Sequence, residues 1–522
     1  MLFNSYSFLL LFLPVTLGGF WLLGAWAPRS WARCWLVLTS LFFYGWWNPV
    51  YLILIGLSML ANFATGVWLS RLSAEENRKW LWLLLSAGLA ANLAALGYFK
   101  YAAFFARSVN AGLGTHLPVL SVVLPLGISF FTFQQMAYLV DAARGQVREY
   151  SLVDYALFVT FFPQLIAGPI VHHADMLPQF SCDQSYRPRA SNLSIGLTIF
   201  AIGLFKKVVL ADGVARFGSP VFAASAAGVS LSFFESWGGA LAYTLQLYFD
   251  FSGYSDMAIG LGRMFGIRIP LNFNSPYKAD SIAEFWKRWH ITLSQFLRDY
   301  LYISLGGNRL GPARRHVNLL VTMLLGGLWH GAGWTFVIWG GLHGVYLICN
   351  HAWRTVTRNW NVPRWASGPG RVSGRLLTFL CVVVGWVFFR APDLPSAGAV
   401  LWAMSGADGI GLPSACPAWL IHLADAVTPV TILHGGPFPN GVFPASGIPW
   451  VLGLLVVVWT LPNSIEIMAR YRPLTGRAPW GRTTPSGIFW RPTPAWALFV
   501  LGAFGMSLLK LSDISEFLYF QF

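Results

Sequence analysis

Three histidines in the middle of the chain lie where an imidazole could carry out acid or base chemistry. His330 belongs to the string Leu-Trp-His-Gly-Ala-Gly-Trp, His290 follows Trp289, and His343 repeats the glycine-flanked setting more weakly. A neutral imidazole can take a proton from a hydroxyl group as that hydroxyl attacks a carbonyl carbon, which contributes about 10²- to 10⁴-fold in rate. A structural hydrogen bond is the alternative role for each of these histidines.

Two aspartates precede the histidines in an equally apolar setting. Asp250 and Asp256 lie among the aromatic residues of segment 248–260. Burying a carboxylate in lipid is costly unless the group is paired or protonated. Each aspartate therefore indicates either a functional group or a polar contact between helices. Their spacing does not indicate a paired general acid and base.

Other recognisable chemistry is poorly represented in the sequence. The chain has no Gly-x-Ser-x-Gly nucleophile elbow, no Walker loop and no dinucleotide-binding glycine fingerprint in a strand–turn–helix setting. Its five cysteines are scattered without close pairing, which indicates neither a disulfide framework nor a zinc site. His172 and His173 precede Asp175 but lack the usual zincin spacing. The sequence therefore predicts no metal site.

The residues around these groups form a membrane protein. Of 522 residues, 56% are hydrophobic and 11% are charged, whereas a soluble domain carries about 25% charged residues. A bilayer admits only helices or closed barrels, and barrel strands alternate apolar with polar residues. Several runs here are apolar throughout, namely Leu9–Trp26, Leu81–Leu96, Leu376–Phe389 and Val451–Leu461. We expect one all-α integral membrane domain over residues 1–522, with roughly a dozen transmembrane, re-entrant and interfacial segments.

Two of these segments are expected not to cross the membrane. Segment 158–170 is apolar but broken by Pro163, Gly168 and Pro169, which is typical of a re-entrant segment sheltered by protein. Segment 282–303 has an aromatic stripe at helical spacing and basic residues elsewhere around it, which predicts an interfacial helix. The first apolar run has no basic residue before it and is expected to be a retained span rather than a cleaved signal peptide.

The distribution of basic residues predicts the orientation. Segments 29–33 and 71–79 carry two and three basic residues, so both should face the cytoplasm, whereas segment 391–450 has none and should lie outside. We assign the net charge of +15 to this bias and to anionic lipid, not to nucleic acid. A helix rises about 1.5 Å per residue, so His330 lies on the order of 20 Å beyond Arg315, near or past the bilayer midplane.

Five strings together carry a resemblance to a known family, which is strongest in the last two. They are Met1–Ser5, Phe161–Ile170, Tyr248–Ala258, Phe285–Ser294 and Leu328–Trp334. They resemble the membrane-bound O-acyltransferase family, close to the branch with the alginate O-acetyltransferase membrane subunit and the peptidoglycan and cellulose acetylation homologues. The resemblance is much weaker after about Arg354.

This resemblance implies an architecture and an activity. It implies a ring of helices around a central channel, in which a cytoplasmic funnel and an outer funnel meet. It implies that His330 is catalytic and that His290 is a second site residue. Acetyl would pass from a cytoplasmic thioester such as acetyl-CoA, with no bound cofactor, to a hydroxyl group during acetylation of an alginate- or cellulose-like exopolysaccharide.

Further expectations concern substrate contacts, location and partners. The residues expected to contact substrate are Trp286, Lys287, Arg288, Trp329 and Asp256. The expected location is the bacterial inner membrane, and a secreted or periplasmic acetyltransferase is the expected protein partner. Two alternatives remain open at this stage: a transporter or flippase with a buried His/Asp path, and a non-catalytic scaffold that docks a periplasmic acyltransferase.

Overall fold

The protein is helical over most of the chain that the computed structural model describes. The described residues are 1–72, 77–147, 151–359, 364–407, 409–412, 432–434, 441–475, 487–512 and 518. Two three-residue parallel strands, β1 (Ile410–Leu412) and β2 (Ile432–His434), are the only strands within these ranges. The expectation of an all-α membrane protein is confirmed.

The backbone packs as two compact units. The first comprises Met1–Phe205, Gly253–Asn272 and Ser464–Ile514, and the second comprises Lys206–Ser252, Phe273–Asn463 and Ser515–Phe522. The chain passes between the two units at five points, one of which, after Ser252, falls within a single long helix, α12 (Phe233–Met264). The expectation of one domain over residues 1–522 stays a prediction.

The helices of the first unit begin at the N-terminus. They are α1 (Leu13–Trp26), α2 (Arg29–Gly45), α3 (Tyr51–Arg71), α4 (Arg78–Leu96), α5 (Ala102–Leu113), α6 (Ile128–Ala143), α7 (Leu152–Thr160), α8 (Phe162–Leu165), α9 (His173–Phe180) and α10 (Ala190–Phe205), later joined by α20 (Ser464–Ile467) and α21 (Pro494–Lys510). Asn62 of α3 and Asn92 of α4 exchange side-chain hydrogen bonds of 3.2 and 2.7 Å, and both are buried. Such paired amides stabilise helix contacts in a medium that offers no water.

The segment expected to be re-entrant is broken and buried. Helix α7 ends at Thr160, α8 occupies Phe162–Leu165, and the chain then continues without regular structure to Ile170. Every residue from Leu157 to Val171 is buried. Non-helical backbone is thus sheltered by protein here, as the proline and glycine pattern predicted.

Close helix packing in the first unit depends on glycine. Gly196 of α10 faces Gly260 in the last part of α12, and a Cβ added to either would lie 2.6 Å from the carbonyl oxygen of the other. Only a residue without a side chain permits backbones to approach this closely.

The second unit holds the remaining helices. They are α11 (Asp212–Ala226), the first part of α12 (Phe233–Met264), α13 (Ile282–Phe285), α14 (Ile291–Phe296), α15 (Gly311–His330), α16 (Trp334–Val356), α17 (Arg364–Arg390), α18 (Leu394–Met404) and α19 (Gly447–Thr460). Helices α15 and α16 form a tight hairpin, in which a Cβ on Gly327 would lie 2.2 Å from the Phe336 oxygen and one on Gly340 would lie 2.2 Å from the Met323 oxygen.

The expectation of one continuous interfacial helix over 282–303 is wrong. Helix α13 ends at Phe285, a turn follows, and α14 begins at Ile291, after which a π-helical stretch runs from Leu297 to Tyr302. His290 interrupts the helix with a left-handed backbone at φ +43°. The aromatic stripe is real, but its inner members are buried in protein, with Trp289 3% exposed and Leu293 1% exposed.

Five helical runs of the described chain are long and apolar enough to cross a membrane. They are Ser7–Trp26, Tyr51–Arg71, Arg78–Leu113, Ala190–Ala226 and Gly368–Arg390. Shorter apolar helices are α18, α19 and α21. Residues 408, 413–431 and 435–440 of the basic-free segment lie outside the described residues, and Cys416 is among them. The predicted extracytoplasmic position of this segment stays a prediction.

Candidate active site

His330 lies at the tip of the α15–α16 hairpin. It is the last residue of α15, and the chain passes through Gly331 and Gly333 before α16 returns. Arg315 of α15 and Arg354 of α16 are both close enough to His351 for their charges to interact with it. The basic residues of the hairpin therefore lie at the end opposite to its tip. The 15 residues from Arg315 to His330 correspond to about 22 Å of helix.

Aromatic rings enclose His330, which is 7% exposed. The ring centroids of Trp339 and Phe389 each lie 5.2 Å from that of the imidazole, at interplanar angles of 89° and 71°. Trp329, itself buried, lies 4.9 Å away by the same measure. The helix therefore ends on a histidine held among apolar surfaces, where a bound substrate would be shielded from water.

His290 is the second histidine of this cluster. Its ring is fully buried, lies 4.8 Å from the ring of Phe251 in an edge contact, and has its centroid 6.2 Å from that of His330. Its left-handed backbone is unusual for a residue other than glycine and costs of order 1–3 kcal/mol. Such strained residues concentrate at functional sites because the surrounding structure must hold them in place. The structure thus brings together the two histidines that the sequence singled out.

The two tryptophans expected to contact substrate lie near these histidines. The ring centroid of Trp329 is 6.0 Å from that of His290. Trp286 packs against Trp339 at 5.8 Å and against His343 at 5.2 Å, so it is one ring further from His330. Both fit a wall of a substrate site.

The two basic residues of the same string differ from each other. Lys287 is exposed, whereas Arg288 is partly buried. The Arg288 guanidinium donates two hydrogen bonds to Glu284 Oε1, at 2.9 and 2.7 Å, and one to the Asn274 carbonyl oxygen at 3.2 Å. These contacts give Arg288 a structural role in holding the turn that precedes His290.

The aspartates of segment 248–260 have structural partners. In the second unit, Lys207 Nζ lies 2.6 Å from Asp250 Oδ1 and donates a 2.8 Å hydrogen bond to Asp212. In the first unit, Asp256 Oδ2 accepts a 2.5 Å hydrogen bond from Ser464. The contacts therefore favour the polar-contact interpretation for both aspartates. Lys207 was missed by the sequence analysis, although it interrupts an apolar run.

His343 is more completely enclosed than its sequence setting suggested. It is fully buried on α16, with its ring centroid 5.0 Å from that of Trp339. A Cβ on Gly385 would lie 2.9 Å from its Nε2. Among the described residues neither ring nitrogen has a hydrogen-bond partner. His343 therefore lines the aromatic wall behind His330.

One cluster of the first unit has the composition of a metal site. Asp141 joins His172 and His173, with their ligand atoms within 4.8 Å of one another. His172 Nδ1 accepts the backbone N–H of Ala174, which leaves Nε2 to carry the proton towards Asp141 Oδ2 at 2.7 Å. Burial, followed by the nearby His172, lowers the pKa of His173 to about 4. A metal bound here would have to displace the hydrogen bonds of His172. The sequence alone did not indicate that Asp141 belongs to this cluster.

Comparison with known proteins gives consistent results. The model of the membrane-bound O-acyltransferase family matches residues 77–385. A peptidoglycan O-acetyltransferase of Helicobacter pylori is 40% identical over all of this chain and 98% of its own length, and a protein of Pseudomonas putida named probable alginate O-acetylase is 39% identical over the whole of both chains. A teichoic acid D-alanyltransferase of Streptococcus thermophilus is 29% identical over 51% of this chain and 68% of its own.

Proposed function

Because the chain belongs to the membrane-bound O-acyltransferase family and is an acyltransferase, we propose that it transfers acetyl from a cytoplasmic thioester, acetyl-CoA, to a hydroxyl group. The proposed product is an acetylated exopolysaccharide of the alginate or cellulose type. The proposed location is the bacterial inner membrane. A secreted or periplasmic acetyltransferase is the proposed partner that acts on the exported polymer.

The observation that carries this proposal is the position of His330. It ends α15 at the tip of a hairpin whose basic residues gather at the opposite end. If the basic end faces the cytoplasm, the imidazole lies deep in the bilayer, where a donor entering from one side and an acceptor entering from the other could meet. The relatives are named for acyl transfer to peptidoglycan, alginate and teichoic acid, which supports a carbohydrate-polymer acceptor.

The chemistry requires one base and one polar neighbour. Neutral His330 takes the proton of the acceptor hydroxyl as its oxygen attacks the thioester carbonyl. The ester C–O bond forms, the C–S bond breaks, and the proton on the imidazole passes to the departing thiolate. His290, with its ring centroid 6.2 Å from that of His330, can hold the donor or acceptor in line during these steps. No metal or resident cofactor takes part in the proposed reaction.

Substitution of His330 tests the assignment. His330→Ala should insert and fold, because removing a polar ring from apolar surroundings also removes its desolvation cost. Turnover should fall at least about 10²-fold, while donor binding changes much less, because the base acts chiefly in the transition state. The measurements are thiol released from acetyl-CoA and acetyl ester formed on the polymer, at equal amounts of membrane protein.

His316→Ala is the matched control, because His316 lies on the same helix near its basic end, beside Arg315. It should retain wild-type turnover. Near wild-type acetylation by His330→Ala would remove the catalytic assignment, and uptake or docking assays would then become the relevant measurements.

A further inference from the structure

The first unit contains a polar cavity of about 430 Å³ that shares no residue with the histidine cluster. Its walls come from α9 and the turn after it, the start of α10, the end of α12 and the turn that follows, and Thr475. The lining residues are Ala174, Asp175, Gln179, Cys182, Ser185, Arg189, Asn192, Arg263, Gly266, Arg268 and Thr475. We call this cavity the arginine pocket.

The charges lining the arginine pocket are unbalanced. Three arginines, Arg189, Arg263 and Arg268, face one carboxylate, Asp175. The positive charges of Arg268 and Arg189 both act on Arg263. Among the described residues, none of the three arginines belongs to an ion pair. Like charges that outnumber their counter-charges repel one another and destabilise a fold, and an anionic ligand would relieve this repulsion.

Arg263 is the most informative of the three arginines. Its side chain is 8% exposed, yet its Nε has no hydrogen-bond partner among the described residues. A buried donor without a partner costs about 1–3 kcal/mol, and more when the group is charged. The guanidinium lines the pocket, so an anionic ligand there would satisfy both its charge and its free donor.

The pocket wall is held by specific hydrogen bonds. The Gln179 side-chain amide accepts the Arg268 backbone N–H at 2.8 Å and donates to the Arg268 carbonyl oxygen at 3.0 Å. Gly266, at φ +76°, lets the turn approach Ser185, because a Cβ there would lie 3.0 Å from the Ser185 Cα. The backbone N–H of Thr475 donates to Ile269 at 3.4 Å. These contacts therefore hold the turn that carries Arg268 at the wall of the pocket.

The arginine pocket is at the end of the unit that we expect to face the cytoplasm. Asp183, next to the lining residue Cys182, forms a 2.5 Å ion pair with Arg29. Arg29 belongs to the first basic loop, which the positive-inside rule places in the cytoplasm.

We propose that the arginine pocket binds a phosphate-bearing anion. Guanidinium groups match phosphate oxygens with paired, charge-assisted hydrogen bonds, and three converging arginines suit a phosphate ester better than a single carboxylate. The volume exceeds that of one phosphate and leaves room for the group attached to it. Two sources share this chemistry: the phosphates of a CoA-type donor, and the headgroup of an anionic phospholipid in the inner leaflet. Only the donor source depends on the proposed function.

Binding to purified full-length protein in neutral detergent tests the inference and separates the sources. One arm uses adenosine 3′,5′-bisphosphate with adenosine as the uncharged control. The other uses dioctanoyl phosphatidylglycerol with dioctanoyl phosphatidylcholine as the control of zero net charge. We expect the wild type to bind one anionic probe, and Arg263→Gln and Arg268→Gln each to weaken its binding about tenfold or more. Nucleotide binding would identify the donor, and lipid binding would identify the headgroup.

The variants make the result decisive. Arg268 is exposed, so Arg268→Gln should fold even if Arg263→Gln does not. Arg187→Gln is the matched control, because Arg187 is exposed in the α9–α10 connection, two residues before the lining residue Arg189, but does not itself line the pocket. Binding of neither anionic probe by the wild type, or equal binding by Arg268→Gln, overturns the proposal. His330→Ala should bind as the wild type does, so loss of acetyl transfer in that variant concerns only the proposed function.

Discussion

A single added methyl group within the α15–α16 hairpin should disable the enzyme without touching a functional side chain. In Gly340→Ala the new Cβ would lie 2.2 Å from the Met323 carbonyl oxygen. Comfortable C···O contacts are roughly 3.3–3.6 Å, so α15 and α16 must separate by about 1 Å. Backbone cannot move aside as a side chain can, and overpacking of this kind costs about 1–3 kcal/mol of stability.

The larger effect of Gly340→Ala should be on turnover. His330 ends α15 about two turns beyond Met323, so separation of the two helices displaces its imidazole from Trp339 and Phe389. A misplacement of about 1 Å can reduce a rate by about 10²-fold. Thiol release from acetyl-CoA, measured at equal amounts of folded protein, is the assay, with the thermal midpoint recorded in parallel.

Gly341→Ala is the matched control for this prediction. The neighbouring glycine on the same helix would bring its Cβ to 3.2 Å from the Leu324 Cδ2, the movable end of a side chain. It should retain turnover within a few-fold of the wild type. Equal turnover by Gly340→Ala and Gly341→Ala would refute the reasoning, because the close backbone contact would then have no bearing on His330.

Two other outcomes can be stated from the structure. Lys207→Met should lower the free energy of unfolding by about 3–5 kcal/mol, because Asp250 is then buried without its counter-charge. The double variant Lys207→Met/Asp250→Leu should recover much of that loss in the same denaturation assay, and a stable single variant would contradict this account. Cys416 should react with an impermeant thiol reagent from outside the cell, whereas Cys34 should react only after permeabilisation. Labelling of Cys34 alone in intact cells would reverse the predicted orientation.

The sequence indicated His290 and His330 as candidate site residues but did not indicate how their rings come together. His290 and His330 could be identified because aromatic and glycine-rich strings surround them in the sequence. Their separation of 6.2 Å between ring centroids could not be predicted, because it depends on the hairpin and on the break at His290. The sequence around His290 did not indicate the break, because apolar residues continue at helical spacing across it. Tertiary packing of these buried residues outweighs their helical preference.

Pairings over long sequence distances were also beyond prediction. Asp250 looked like an isolated carboxylate until the fold placed Lys207 beside it. Asp141 likewise reaches the adjacent histidines 172 and 173 only through the packing of α6 against the start of α9. The helical class was predictable because it follows from composition alone, whereas each polar partner depends on which helices become neighbours.

For the proposed transfer of acetyl from a thioester at His330, the aromatic enclosure of this residue bears on how much of the acetyl reaches the polymer. An activated thioester beside a base hydrolyses readily if water arrives first, and water outnumbers any polymer hydroxyl in the cell. The rings of Trp339 and Phe389 pack against the imidazole, and such apolar packing keeps water from a reacting group. Removal of one of these rings, for example in Phe389→Ala, should increase hydrolysis of the thioester relative to acetyl transfer. The donor would then be consumed while the polymer remains unmodified.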